Sequence, residues 1–396
     1  MMNILLICHD IPSMTVGATL PIYHLIKNLG KTYSINLISF NSEQYDITEL
    51  KPFLNKYTNI KIPKHHSIKN QLKYTMKNMF TLDNLHKRSF LNYYYHKDMS
   101  KLIEKSIINE QYDIIITDMP MAFYVKNTNI PKIVYAFDAV SDYNYKMYTK
   151  SNTIWTKLYW YLNYLKIHRY EKTYDKFNAC IVVNKKDKTL LERYIKTKIE
   201  VIPNGVDTSF FKNNNDETGQ KIVFLGDMST PPNNDAVKYF IDEIYPLICK
   251  EINIPFYIVG RNPSKYIKQL NNHENITVTG SVDDVRLYLT PGTIFITPMI
   301  SGTGIKNKIL EAMSMNLPVV STSIGISGIN SRNYEEFILA DNNIEFKSAI
   351  IELHENIKLK NKISSNARIF VKNNYSWQKS MKKLEKIIKN IVKEQN

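Results

Sequence analysis

The feature that most constrains this chain is a repeated alternation. Short runs of β-branched and other apolar residues are separated by longer stretches with helical spacing, from one end of the sequence to the other. Asn3–Ile7, Ser34–Ser39, Asn59–Ile62, Asp113–Thr117, Lys132–Ala136, Ala179–Val183 and Glu200–Ile202 are predicted strands. The rhythm restarts with Lys221–Leu225, Pro255–Val259, Asn275–Val278, Thr293–Thr297 and Pro318–Ser321. Continuous apolar runs belong to strands buried on both faces, so the sheets should be parallel and covered by helices on both sides. Two such series in 396 residues predict an α/β chain of two doubly wound, Rossmann-like domains. The polar stretch Lys212–Gln220 (KNNNDETGQ) has the composition of a loop and is the expected division. Open parallel sheets bind ligands beyond the carboxyl ends of their strands. The two domains are therefore expected to face each other across an active-site cleft, with the chemistry carried by residues just after strands.

Composition removes several classes. A hydrophobic fraction of 43% and a charged fraction of 22% exclude intrinsic disorder. Cys8, Cys180 and Cys249 form no C-x-x-C pair, which fits a reducing compartment and no structural zinc. No apolar run approaches the roughly 20 residues needed to cross a bilayer. The opening MMNILLIC lacks a basic start and a small-residue cleavage site, so it reads as a first strand and a cytoplasmic location is expected.

The net charge is +15, and residues 1–200 carry +12 of it. Residues 51–100 and 146–200 each hold a balance of +8 and are rich in aromatics, as in LNYYYHK (Leu91–Lys97) and WTKLYWYLNYLKIHRYEK (Trp155–Lys172). Lysines beside Trp and Tyr suit an anionic membrane surface, whereas amphipathic core-facing helices with solvated lysines use the same residue types. Nucleic acid is not an expected partner, because no recognition helix or RNA-binding signature accompanies the charge.

The strongest constellation is Ser301–Ser321, SGTGIKNKILEAMSMNLPVVS. A Gly-x-Gly loop (Gly302, Thr303, Gly304) follows the TIFITP strand, and a helix is predicted to open at about Ile305. Glycines let backbone approach a ligand, and free N–H groups at a helix start favour anionic oxygens. Lys306 and Lys308 add charge suited to a diphosphate. Glu311 lies among apolar neighbours and could accept two hydroxyl hydrogen bonds from a ribose. A Lys308–Glu311 pair on a solvated helix face would use the same residues.

This segment resembles the donor-binding signature of family 4 glycosyltransferases, retaining enzymes of the two-domain GT-B fold. It is most similar to the bacterial polysaccharide-assembly branch, whose pattern runs G-T-R-L-K-x-L-E-A-M-A-M-G-x-P-V-V-x-T. Gly304, Lys308, Glu311, Ala312, Met313, Met315, Pro318, Val319, Val320 and Thr322 match, and Lys306 replaces the arginine. VIPNGVD (Val201–Asp207), FLGDMSTPPNNDAVKYF (Phe224–Phe240), IVGRNP (Ile258–Pro263), VTGSVDDVRLYL (Val278–Leu289) and NYSWQKSMKKL (Asn374–Leu384) match in order and spacing.

The resemblance implies an acceptor domain over 1–205, a nucleotide-sugar domain over 206–375, and a final helix in 376–396 that crosses back to the first. It implies that Glu311 grips the donor ribose and that Lys306 and Lys308 hold the diphosphate. It places Gly302, Thr303, Gly304 and Ile305 along the donor, Ser281 and Val282 beside the nucleobase, and Gly226 under the phosphates. In the first domain Gly17 would lie in a phosphate-facing loop. Asp138, just past a strand, would orient the acceptor hydroxyl or take its proton, although it could equally cap the following helix. His9, beside Asp10 at the end of the first strand, is the other catalytic candidate, and a strand-end His-Asp pair can also be purely structural. The implied reaction moves a sugar from a nucleotide diphosphate donor to a glycan or lipid-linked acceptor. No metal or other cofactor is expected, because Asp283 and Asp284 are adjacent and point apart.

Two departures from the pattern stand out. Thr303 occupies the position of a second glutamate eight residues before Glu311, and Asp227 replaces an arginine after the strand glycine. They leave open a catalytically silent partner subunit of the same fold. A sugar-nucleotide epimerase of that fold is the enzyme alternative, and the six ordered motifs disfavour it.

Overall fold

The computed structural model describes residues 1–14, 19–42, 45–61, 94–213, 219–302 and 304–395. The chain divides into two compact units, residues 1–203 together with 381–396, and residues 204–380.

The first unit is built on a seven-stranded sheet of order β3-β2-β1-β4-β5-β6-β7. Its strands are β1 (Asn3–Cys8), β2 (Ser34–Asn41), β3 (Lys56–Lys61), β4 (Ile114–Asp118), β5 (Lys132–Phe137), β6 (Ala179–Val182) and β7 (Ile199–Val201). Every pairing is parallel. The central runs ILLIC of β1 and IIITD of β4 are fully buried, as strands covered on both faces must be. Edge strand β3 is half exposed and starts three residues before the predicted Asn59; Ile62 lies outside the described residues.

The second unit repeats the plan in six parallel strands of order β10-β9-β8-β11-β12-β13. They are β8 (Lys221–Leu225), β9 (Phe256–Val259), β10 (Ile276–Gly280), β11 (Thr293–Thr297), β12 (Val319–Ser321) and β13 (Ile338–Leu339). A two-residue strand such as β13 carries no readable periodicity, which is why it is absent from the predicted set.

The units part at Pro203/Asn204, ahead of the polar stretch 212–220. Val206 and Phe211 already pack into the core of the second unit, and the Val206 N–H donates to the Tyr375 carbonyl at 2.7 Å. The final helix, Trp377–Lys393, starts in the second unit and ends in the first. There Tyr33 Oη donates to Glu385 Oε1 at 2.5 Å, and Lys383 Nζ donates to the Val201 carbonyl at 2.8 Å.

In both units the strand order reverses between the first strand and its fourth, between β1 and β4 and between β8 and β11. Successive crossovers leave on opposite faces at such a point and open a crevice at the carboxyl ends. Next to the second crevice, Gly260 has φ +144°, and a Cβ there would fall 1.8 Å from the Gly226 carbonyl oxygen. The turns after β8 and β9 therefore touch backbone to backbone. Gly260→Ala should destabilise the protein by about 1–3 kcal/mol, from the strained backbone and the forced separation of the two turns. Urea denaturation of wild type and variant checks this as a lowered midpoint at unchanged slope.

Candidate active site

The carboxyl ends of β8 and β11 bring together most of the predicted donor residues. After β11 the chain turns through Gly302 (φ +116°) and Gly304 (φ +73°), conformations that L side chains rarely adopt. The helix that follows is Asn307–Ser314, so it opens two residues later than predicted. Gly304 holds a left-handed φ and Lys306 is still extended, and neither fits the first turn of a helix. Ile305 instead packs against the turn at Gly328, where an added Cβ would lie 2.9 Å from Ile305 Cγ1. Lys306 is the N-cap residue, and its ammonium folds back to donate to the Gly304 carbonyl at 2.8 Å. A cation, two left-handed glycines and the free N–H groups of a helix start thus share one loop, a combination that favours an anion. Thr303 lies outside the described residues.

Lys308 does not form the solvated helix pair with Glu311. Its ammonium donates to Asn233 Oδ1 at 2.8 Å and sits 4.0 Å from the centroid of the Phe224 ring. Asn233 in turn donates to the Asp227 carbonyl at 2.9 Å. Lys308 therefore ties the helix after β11 to the turn after β8. Asn233 also explains Gly226: a Cβ there would fall 2.7 Å from Asn233 Nδ2, so the space above this glycine is filled by an amide side chain.

Glu311 stands one turn along the helix from Lys308. Its carboxylate accepts no hydrogen bond from any described residue. Water reaches part of both residues, but protein surrounds most of each charged group. Burial pushes the Glu311 carboxyl up to about 7, against the pull of Lys308. Burial, with Lys306 nearby, pushes the Lys308 ammonium down to about 7, against the pull of Glu311. The protein thus carries a poorly compensated carboxylate beside Lys308, which is costly for folding alone.

Asp227 is not idle in the place of the arginine. Burial opposes its charge, but hydrogen bonds from Ser229, Arg261 and Asn262 outweigh it and hold the carboxyl well below the usual range. Arg261 Nε donates to Asp227 Oδ2 at 2.7 Å. A mostly exposed guanidinium is thereby placed after β9 and next to the turn after β8. Ser281 and Val282 follow β10, at the edge of the sheet two strands from β8; Ser281 is exposed and Val282 packs against the core. Asp284 Oδ2 is engaged by Arg286 Nη2 at 2.7 Å.

In the first unit the equivalent crevice holds His9, directly after β1. His9 Nδ1 lies 2.6 Å from Asp118 Oδ2, and the His9 backbone N–H donates to the same oxygen at 2.8 Å. Asp118 ends β4 and is fully buried, and its Oδ1 has no hydrogen-bond partner among the described residues. Burial lowers the affinity of the His9 ring for a proton, but Asp118 and then Asp10 overcome it and raise its pKa. Asp10 turns away, with Oδ1 accepting from the Ile11 and Ser42 N–H groups at 2.8 and 3.2 Å. The histidine's partner is therefore Asp118 and not its sequence neighbour. The Tyr94 ring packs edge-on against His9 at 5.3 Å, and Tyr95 packs on Phe123 and Tyr124. These two tyrosines of LNYYYHK face inward; residues 62–93, with most of the first basic-aromatic stretch, lie outside the described residues, as does Gly17.

Asp138 stands exposed past the end of β5, one strand beyond β4. It does not cap the helix Val140–Lys150, whose N-cap is Ala139. Phe137, just before it, has φ +64° at a bulge in the β5–β6 pairing. Such strain in a bulky residue persists only where surrounding structure enforces it. Asp118, Asn233 and Arg261 were not among the sequence candidates. Asp118 and Arg261 each follow a predicted strand or end it, which is the signal that could have found them; Asn233 carries none.

Known proteins match this architecture. Sucrose-phosphate synthase from Thermosynechococcus elongatus superposes with a TM-score of 0.73 at 13% identity, over 99% of each chain. HepE of Anabaena in complex with UDP superposes with a TM-score of 0.69 at 13% identity, over 98% of this chain and 100% of that one. The class is GT-B, two doubly wound parallel sheets. Residues 81–210 match the Glycosyltransferase Family 4 model, and residues 219–356 match the model of Glycosyl transferases group 1. The chain belongs to family 4 of the glycosyltransferases. It is also 25% identical over 300 residues to an uncharacterized 44.6 kDa protein in the cps region of Klebsiella pneumoniae, covering 72% of this chain and 76% of that protein.

Two predictions follow from the buried charges. Glu311 carries a folded-state pKa above its unfolded value. Its contribution to stability is full below the unfolded pKa and is lost as pH rises through the folded value of about 7. Glu311→Gln removes that loss, so the variant should gain about 1–3 kcal/mol relative to wild type between about pH 4.5 and 7.5, then level off. Urea denaturation across that range measures it. Asp118→Asn should lower the pKa of His9, read from its ring protons by NMR.

Proposed function

We propose that this glycosyltransferase takes a sugar from a nucleotide diphosphate donor bound in its second unit and transfers it to a glycan or lipid-linked acceptor bound in its first. The observation that carries the reading is the crevice at β8 and β11. Glu311 sits there without a hydrogen-bond donor among the described residues, one turn from the loop where Lys306 and the glycines favour an anion. A ribose diol would supply the missing donors, and a diphosphate would settle over Gly302–Lys306. UDP is bound by HepE, a structural neighbour, which supports a nucleotide donor.

Transfer breaks the bond from the anomeric carbon to the diphosphate oxygen and joins that carbon to an acceptor oxygen. Negative charge builds on the leaving diphosphate, where Lys306, the helix start and Arg261 can stabilise it. The acceptor hydroxyl loses its proton, and His9, oriented by Asp118, or Asp138 is the group to receive it. Retention at the anomeric carbon and independence of divalent metal belong to the same proposal. The engagement of Asp284 by Arg286 supports the latter, since it occupies one carboxylate of the adjacent pair in the turn directly after β10. The similarity to a cps-region protein supports a role in bacterial surface polysaccharide synthesis.

Thermal-shift screening against UDP-, GDP-, ADP- and TDP-sugars identifies the donor, because a ligand that binds only the native state raises its stability. Glu311→Ala and Lys306→Ala should then each weaken donor binding about tenfold to a hundredfold by calorimetry, the loss typical of a charged hydrogen bond. Unchanged affinity in both folded variants would refute the assignment. Donor binding without sugar transfer would favour the silent subunit, and interconversion of the donor sugar would favour an epimerase.

A further inference from the structure

The first unit carries a helical hairpin that the two crevices do not use. Its helices, Val140–Lys150 and Ile154–Glu171, are joined through residues 151–153. Residues 152–159 are exposed without interruption, although they include Ile154, Trp155, Leu158 and Tyr159. Ile154 is 77% exposed and Trp155 74%. Eleven of the 18 residues of Ile154–Glu171 are apolar or aromatic, a content that a helix normally buries along one face. Here only Ile167, Tyr170 and Glu171, near its end, are buried.

The exposed end is nonetheless ordered by its own contacts. Tyr143 meets Trp160 edge-on at 6.0 Å, Tyr145 packs on Tyr164 at 5.3 Å, and Tyr148 packs on Tyr161 at 5.3 Å. Five basic residues, Lys146, Lys150, Lys157, Lys166 and Arg169, share the hairpin with only two acids. Asp142 is paired with Lys146. Glu171 is buried, accepting from the Ser141 N–H at 3.2 Å and Tyr194 Oη at 2.6 Å. The solvent-facing surface of the hairpin is therefore aromatic, aliphatic and cationic.

We propose that this hairpin docks the protein on an anionic bilayer surface, with Ile154, Trp155, Leu158 and Tyr159 at the level of the headgroups and Lys150 and Lys157 on lipid phosphates. Interfacial segments combine aromatic rings, which sit where one end is apolar and the other wet, with cations that meet anionic lipid. A second copy of the chain fits less well, because two such faces would bring like charges together. The hairpin leaves the sheet two residues after Asp138, at the carboxyl end of β5. On the acceptor reading above, that places a membrane-held acceptor near Asp138; the docking itself does not depend on that reading.

The test is co-sedimentation of the full chain with vesicles of phosphatidylcholine alone and with about a third phosphatidylglycerol, at low and high salt. Wild type should sediment with the anionic vesicles at low salt and be released at high salt. Ile154→Ser with Trp155→Ser, and separately Lys150→Glu with Lys157→Glu, should each reduce binding about tenfold or more. These positions are exposed, and an unchanged melting temperature verifies that the variants fold. The proposal is overturned if wild type ignores anionic vesicles at low salt, or if both variants bind as wild type does. A wild-type dimer split by the Ile154→Ser, Trp155→Ser variant, with no vesicle binding, would assign the face to a second copy instead. None of these readouts uses sugar transfer, so they stand or fall apart from the proposed reaction.

Discussion

Parallel pairing of every strand governs the rest of this structure. A parallel strand cannot be joined to its neighbour by a tight turn, so each connection crosses over a face of the sheet and returns to the same end. Within each sheet all carboxyl ends then point one way. Where the strand order reverses, between β1 and β4 and between β8 and β11, the flanking connections depart on opposite faces. The crevices that hold His9 with Asp118, and Lys306 with Glu311, follow from that topology. Their side chains come from segments more than a hundred residues apart in the first unit.

The second crevice is stabilised at close quarters and left electrostatically unfinished. Gly260 lets the turns after β8 and β9 touch, and Asn233 fills the space over Gly226. Lys308 then links Asn233 to the helix Asn307–Ser314. That framework gives the Lys308 ammonium one hydrogen-bond acceptor and leaves Glu311 without a donor from the described residues. Burial raises the carboxyl and lowers the ammonium toward the same pH, so neither charge is held comfortably by folding alone. A ligand offering hydroxyl donors to one and anionic oxygens to the neighbouring loop would relieve both. The first crevice differs in kind: His9 already has its carboxylate, and the bond to Asp118 fixes the ring and favours its protonated form.

Much of this was legible in the sequence because parallel, doubly covered strands announce themselves as unbroken apolar runs. Twelve of the thirteen strands overlap a predicted one, the half-exposed edge strand β3 with the weakest apolar pattern, and only the two-residue β13 escaped. The loop after β11 was legible for a related reason: glycines, lysines and a misplaced glutamate stand in sequence order along one turn and helix. What could not be read was partnership across the sheet. Asp10 is the neighbour of His9 in sequence, but Asp118 is its neighbour in space, because β4 lies beside β1. Lys308 and Glu311 have helix-pair spacing, yet the lysine turns to Asn233 on another connection. Charge runs were equally ambiguous. Tyr94 and Tyr95 face inward, whereas Ile154 and Trp155 are exposed, and composition alone did not separate them.

In the function proposed above, the crevice at β8 and β11 is a nucleotide diphosphate site organised by Glu311 and Lys306. A crystal structure of the full chain with a bound nucleoside diphosphate tests it most directly. The ribose hydroxyls are expected within hydrogen-bond distance of Glu311, and the diphosphate over the Gly302–Lys306 loop. A nucleotide held elsewhere, with Glu311 still unpartnered, would contradict it.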